Sequence, residues 1–142
     1  MNNAATRTPE KTVGAVMTTD PVTLQLTDTL RLADDMMNLA HVRHFPVFDG
    51  EKLVGVINQD DLLHASMASL VRHPKDNVRE ALGAVAIKDF MKAAVTVPRE
   101  TSIYDAASMM VDRGSECLLV ADGDKLIGLV TRSDLLRELA KR

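Results

Sequence analysis

Val47-Phe48-Asp49-Gly50-Glu51-Lys52-Leu53-Val54-Gly55 recurs 73 positions later as Val120-Ala121-Asp122-Gly123-Asp124-Lys125-Leu126-Ile127-Gly128. In each copy two apolar, β-prone runs flank Asp-Gly. That is the pattern of a β-hairpin, because glycine reaches the positive φ that a tight turn needs. The recurrence extends outward without a gap: residues 22–63 align with 95–136, and 14 of the 42 pairs are identical. A self-alignment of this length makes the chain a tandem repeat, and the repeat decides the architecture before any single motif does.

Each copy carries the same order of elements. Pro21-Val22-Thr23-Leu24 reads as a short strand. A helix is predicted from near Thr27–Thr29, where Thr27 or Asp28 caps the first N–H groups and Leu30, Ala33, Met36, Met37 and Ala40 form an apolar stripe. The hairpin follows, and a second helix begins after Asn58 with Asp60 and Asp61 near its positive end. The unit is β-α-β-β-α, and the second copy runs from Val95 to about Ala140. The expected fold class is α/β (α+β), two repeats related by a pseudo-two-fold axis. A three-strand unit leaves one sheet face uncovered, so the two copies are expected to bury those faces against each other and to form two related clefts.

A short lead-in precedes each copy: Val13-Gly14-Ala15-Val16-Met17 is echoed by Ile87-Lys88-Asp89-Phe90-Met91 at an offset of 74. Between the copies Pro74 is expected to end a helix, and Asn77 to cap a new one through Val78, Leu82 and Val85. The expected division is a mobile polar tail at 1–10, a first repeat at 11–73, a linker helix at 74–85 and a second repeat at 86–142.

Composition narrows the function. Of the 142 residues 46% are hydrophobic, enough for a real core. The net charge of -3 is wrong for a surface that must neutralise phosphates along a nucleic acid. With no Trp, one Tyr and three Phe, there is no stacking platform for single strands. The single cysteine, Cys117, excludes an intramolecular disulfide framework and a thiolate metal cluster. No signal-peptide core and no membrane-length apolar run is present, so a soluble cytoplasmic protein without membrane insertion is expected.

With these features in place the chain resembles the CBS domains, the family named after cystathionine β-synthase. The resemblance covers about 12–139. It rests on the lead-in Val16-Met17-Thr18, the Met-Met helices, and His44-Phe45-Pro46-Val47 with Asp49. It rests also on Gly128-Leu129-Val130-Thr131-Arg132-Ser133-Asp134, which follows the pattern Gly-x-x-Thr/Ser-x-x-Asp. The resemblance implies a non-catalytic regulatory module that binds AMP, ADP, ATP or S-adenosylmethionine between its repeats and signals to an enzyme, channel or transporter. It also implies a homodimer formed through the helices.

The implied first site has Thr131 and Asp134 facing Thr18, Val22 and Val42-Arg43-His44-Phe45-Pro46. Asp134 can accept both hydroxyls of a ribose diol, and Thr131 can donate to a phosphate at the helix N-terminus. Val22, Val42, Pro46 and Leu129 would hold the adenine, and Arg43, His44 and Arg132 would supply positive charge to phosphates. Thr131 and Asp134 also read as a helix cap and a first-turn acid, which the spacing alone does not separate from ligand contact. The implied second site draws on Asn58, Asp61, Val95, Ser115, Glu116, Cys117, Leu118 and Leu119. It departs from the pattern: Asn58 replaces Thr/Ser, Leu119 replaces the proline, and Glu116 stands where Arg43 does. An acid there repels a phosphate. The alternative function is a scaffold whose clefts have lost their ligand.

Other residues read more plainly. His41, His44, His64 and His73 lack the three or four convergent ligands of a closed metal site. Cys117 is expected to be a small buried hydrophobe, since Glu116 beside it gives no activating cation. The eight Met residues are core filler or, in part, a partner surface. Asp60 and Asp61 point apart on a helix, and no nucleophile-elbow, zinc-protease or P-loop motif occurs.

Overall fold

In chain order the elements are α1 (Val13–Val16), β1 (Thr18–Thr19), β2 (Leu24–Gln25), α2 (Leu30–Ala40), β3 (His44–Asp49), β4 (Lys52–Asn58) and α3 (Gln59–Arg72). They continue with α4 (Val78–Leu82), a 3-10 turn at Ile87–Asp89, β5 (Lys92–Ala93), β6 (Thr96–Val97), α5 (Ile103–Arg113), β7 (Cys117–Asp122), β8 (Lys125–Thr131) and α6 (Arg132–Ala140). The computed structural model describes residues 11–72 and 77–141. The expectations for the tail at 1–10 and for Pro74 lie outside them.

Both hairpins form on the Asp-Gly pairs. Gly50 and Gly123 take φ of 63° and 60°, and the strands close on Asp49↔Lys52 and Asp122↔Lys125. Helix starts are set by single side chains. Thr29 caps α2 by accepting from the Leu32 N–H at 3.3 Å. The expected caps Thr27 and Asp28 are not used, because the Asp28 carboxylate accepts the Gln25 N–H at 2.7 Å and closes the preceding turn. Ser102 caps α5 in the same way, accepting from Asp105 N–H at 3.0 Å. Asn77 caps α4 as expected, accepting from Glu80 N–H at 2.8 Å. That helix stops at Leu82 instead of reaching Val85, whose carbonyl accepts the Leu30 N–H at 3.0 Å and so belongs to the start of α2.

The lead-ins change partners. β1 runs antiparallel to β8 with Thr18 opposite Leu129, and β5 runs antiparallel to β4 with Lys92 opposite Val56. Each sheet therefore has four strands instead of three, in the orders β1-β8-β7-β6 and β2-β3-β4-β5, and takes one edge from the other repeat's lead-in. The compact units differ from the sequence repeats for this reason. One is Asp20–Val95; the other joins the segment ending at Thr19 to the residues from Thr96 onward.

Glycine makes the exchange possible. A Cβ at Gly55 would lie 2.7 Å from both Met91 Sδ and the Lys92 carbonyl oxygen. A Cβ at Gly128 would run into Met17 Sδ and come within 3.0 Å of the Thr18 carbonyl oxygen. The methionine that ends each lead-in thus lies on the bare glycine of the strand it joins.

The Asp20–Val95 unit is built around Leu24, Leu30, Ala33, Met37, Phe45, Val47, Ile57, Leu62, Ala65, Leu82 and Ile87. Burying each large apolar side chain there contributes roughly 1.5–3 kcal/mol. In the other unit Val97, Ile103, Met110, Leu118, Val120, Val130 and Leu135 are buried, with Cys117 among them as a small hydrophobe. Lys11 pairs with Glu138 and ties the residues just before α1 to α6. The Lys11 hydrogen bond, opposed by burial and helped by the Lys11 charge, holds the Glu138 carboxyl below the usual carboxylate range.

Candidate functional site

Each unit presents the same device at the end of its hairpin. In the unit containing β8, the chain leaves the strand at Thr131 and enters α6 through a closed pair of hydrogen bonds. Thr131 Oγ1 accepts from Asp134 N–H at 3.2 Å, and Asp134 Oδ2 accepts from Thr131 N–H at 2.8 Å. This is a reciprocal capping box, so both side chains serve as cap and first-turn acid. That role leaves chemistry over. Thr131 accepts with its oxygen and keeps its hydroxyl proton to donate, and a carboxylate offers about four acceptor positions. The other oxygen, Asp134 Oδ1, meets Arg137 at 3.3 Å in a pair whose arginine is 72% exposed, a contact worth little in water.

In the Asp20–Val95 unit Asn58 and Asp61 repeat the arrangement. Asn58 Oδ1 accepts from Asp61 N–H at 2.9 Å, and Asp61 Oδ2 accepts from Asn58 N–H at 2.8 Å. Asparagine thus replaces threonine with no loss of the cap. The free carboxylate oxygen differs, however: Asp61 Oδ1 is held by Lys92 Nζ at 2.9 Å, and the Asp61 side chain is only 5% exposed. Lys92 was missed in reading the sequence, although the offset that pairs Met17 with Met91 also pairs Thr18 with Lys92.

A second matched contact sets the charges beside each helix start. The Arg132 N–H donates to the Glu116 carbonyl at 2.9 Å, and the Gln59 N–H donates to the Arg43 carbonyl at 3.1 Å. Residues 116 and 43 are therefore equivalent and carry opposite charge. Glu116 accepts from Arg132 at 3.2 Å, so these two groups, read as parts of different sites, neutralise each other within one unit. Arg43 is exposed and forms no ion pair with any described residue. Of the charges on Arg43, Glu116 and Arg132, that of Arg43 is the one left without an ion pair among the described residues.

The remaining candidates divide by unit. Thr18 lies on exposed β1 opposite Leu129, in the same unit as Thr131, Arg132 and Asp134. Val22, Val42, Arg43, His44, Phe45 and Pro46 belong to the other unit, with Asn58, Asp61 and Val95. Val22 and Val42 pack half-buried on that unit's core. His44 opens β3 opposite Asn58. Phe45 is fully buried in the core and so supports the strand, while Pro46 is buried beside it. Pro46 also shifts the pairing: β3 meets β2 only from Val47, whereas Leu119, which has an N–H to give, already meets Thr96. Among the described residues no group of three or more His, Cys, Asp or Glu is placed to hold a metal.

A family model described as CBS domain matches residues 13–68 and 87–141. A CBS domain-containing protein of Dictyostelium discoideum is 31% identical over 132 residues, covering 91% of both chains. The solved structure of CBSX2 in complex with AMP is 26% identical with a TM-score of 0.72, covering 92% of this chain and 97% of that one. The CBS domain of a CBS domain containing membrane protein from Sphaerobacter thermophilus is 26% identical with a TM-score of 0.73, covering 90% of this chain and 87% of that one. The chain spans only 13% to 40% of the length of three other curated relatives that it matches.

Proposed function

The chain belongs to the CBS domain family, and we propose that it is a non-catalytic regulatory module whose ligand is an adenosine-containing molecule, a nucleotide such as AMP. The observation that carries this reading is the Thr131–Asp134 cap. It holds the carboxylate in one place with a backbone N–H and leaves the other oxygen facing only an exposed arginine at 3.3 Å. A ribose diol can displace such a contact and gain two hydrogen bonds to an ionised acceptor. Thr131 donates to a phosphate oxygen beside the helix N-terminus. On this reading Thr18 and Leu129, paired across β1 and β8 in the unit of Thr131 and Asp134, line the ligand. CBSX2, 26% identical over nearly the whole chain, is described in complex with AMP, which supports the choice of ligand class.

The exposed helix faces support a second part of the reading, a homodimer. α3 exposes Leu63, Met67, Leu70 and Val71, and α6 exposes Leu136 and Leu139. A groove of about 420 Å³ beside α5 and α6 is lined by Met110, Val111, Leu135, Leu136 and Leu139. Apolar surface of this extent marks a partner face, and a second copy of the chain is the partner assigned here. Ligand binding then shifts the balance between two arrangements, which an effector protein reads. No helix among the described residues is long and apolar enough to cross a membrane. This reading places the module in the cytoplasm, where Cys117 stays a thiol.

The test is calorimetric titration of Asp134→Ala with AMP. Binding should fall by at least about ten-fold, a loss of about 1.4 kcal/mol, while the melting temperature changes by only a few degrees. Unchanged affinity refutes the placement. Absence of binding by the wild-type chain favours the ligand-free scaffold.

A further inference from the structure

We propose that Lys92 closes the second site by occupying the acid that would otherwise hold a ribose, so that each chain takes one adenosine ligand and not two. The inference rests on the reading above, in which Asp134 binds a ribose diol, and extends it to the equivalent acid, Asp61.

The sheet registers make Lys92 and Thr18 the same position. Thr18 pairs with Leu129 on β8, and Lys92 pairs with Val56, the residue equivalent to Leu129, on β4. In one unit this position carries a threonine, which has no charge to neutralise an acid. In the other it carries a lysine whose ammonium reaches Asp61 Oδ1 at 2.9 Å. Asp61 Oδ2 is already committed to the Asn58 N–H at 2.8 Å, so both carboxylate oxygens have partners.

The two acids are also unequally easy to free. Asp134, its side chain 13% exposed, is paired at 3.3 Å with an arginine one turn along its own helix that is 72% exposed. Asp61 is 4% exposed as a residue, and its partner comes from a separate strand. Removing the ammonium would leave the more deeply buried of the two carboxylates uncompensated, which is costlier than parting the longer pair at Asp134. A neutral diol keeps charge-assisted hydrogen bonds to the carboxylate but forfeits the attraction between opposite charges that the ammonium supplies. Glu116, neutralised by Arg132, is then not the group that excludes a second nucleotide.

The test uses the full chain, AMP and deoxyadenosine monophosphate. In an Asp134→Ala background, Lys92→Thr should restore binding of one AMP per chain. The deoxy form, lacking one hydroxyl of the diol, should bind at least about ten-fold more weakly. In the otherwise wild-type chain, Lys92→Thr should raise the stoichiometry from one to two, and Thr18→Lys should abolish the first site. Threonine suits an exposed edge strand, so Lys92→Thr is expected to fold, and its melting curve checks this. A Lys92→Thr chain that folds yet gains no AMP in either background overturns the proposal. AMP binding unaffected by Asp134→Ala sinks the first-site reading instead, a distinct result.

Discussion

His41 and Gly114 hold the same place, the left-handed residue at the end of α2 and of α5, with φ of 54° and 62°. Glycine takes that conformation freely, whereas a side chain pays roughly 1–2 kcal/mol against its own carbonyl. His41 is exposed and is the cheaper of the two ends to improve. His41→Gly should therefore stabilise the chain by about 0.5–1 kcal/mol, after the extra entropy that glycine has when unfolded. A higher denaturant midpoint with an unchanged slope is the expected result; a lower midpoint would mean that His41 makes a contact worth more than its strain. Residue scale also explains the charge pattern. Arg43 and Glu116 are fixed by matching backbone bonds, but Glu116 finds Arg132 and Arg43 finds no acid among the described residues. One substitution in the repeat thus turns an available cation into half of a neutral pair.

At the level of elements, the exchanged lead-ins are the feature with most consequence. A methyl group on Gly128 has no room beside Met17 Sδ and the Thr18 carbonyl. Gly128→Ala should cost about 1–3 kcal/mol by overpacking. Shortening the flexible partner, as in Met17→Ala/Gly128→Ala, should recover part of that loss, because only the Thr18 carbonyl then remains close. Strictly additive losses measured by chemical denaturation would contradict the packing account. The hairpins, the four main helices and the duplicated order were legible in the sequence, since each has a period or a turn residue to announce it. The exchange was not. A strand of two residues such as β1 carries no alternation, and its partner Leu129 lies more than a hundred residues away. The cap at Thr131 and the acid at Asp134 were legible as a pair, but the reciprocal bonds between them required the geometry of the capping box. Lys92 stayed hidden because its partner is set by the same exchange.

Taken whole, the chain is a duplication whose copies have diverged in charge far more than in fold. Both units keep the four-stranded sheet, the bulged hairpin and the cap at the strand-to-helix turn. They differ at three matched places: Thr18 against Lys92, Arg43 against Glu116, and Thr131 against Asn58. Of these, the Lys92 ammonium on Asp61 is the difference on which the proposed inequality of the two acids rests. The duplicated fold is kept because each sheet needs the other repeat's lead-in to complete its edge, whether or not both acids bind ligand. The most direct measurement is the stoichiometry of AMP binding to the intact wild-type chain by calorimetric titration. The account predicts one AMP per chain; two equivalent AMP molecules per chain, or none, would contradict it.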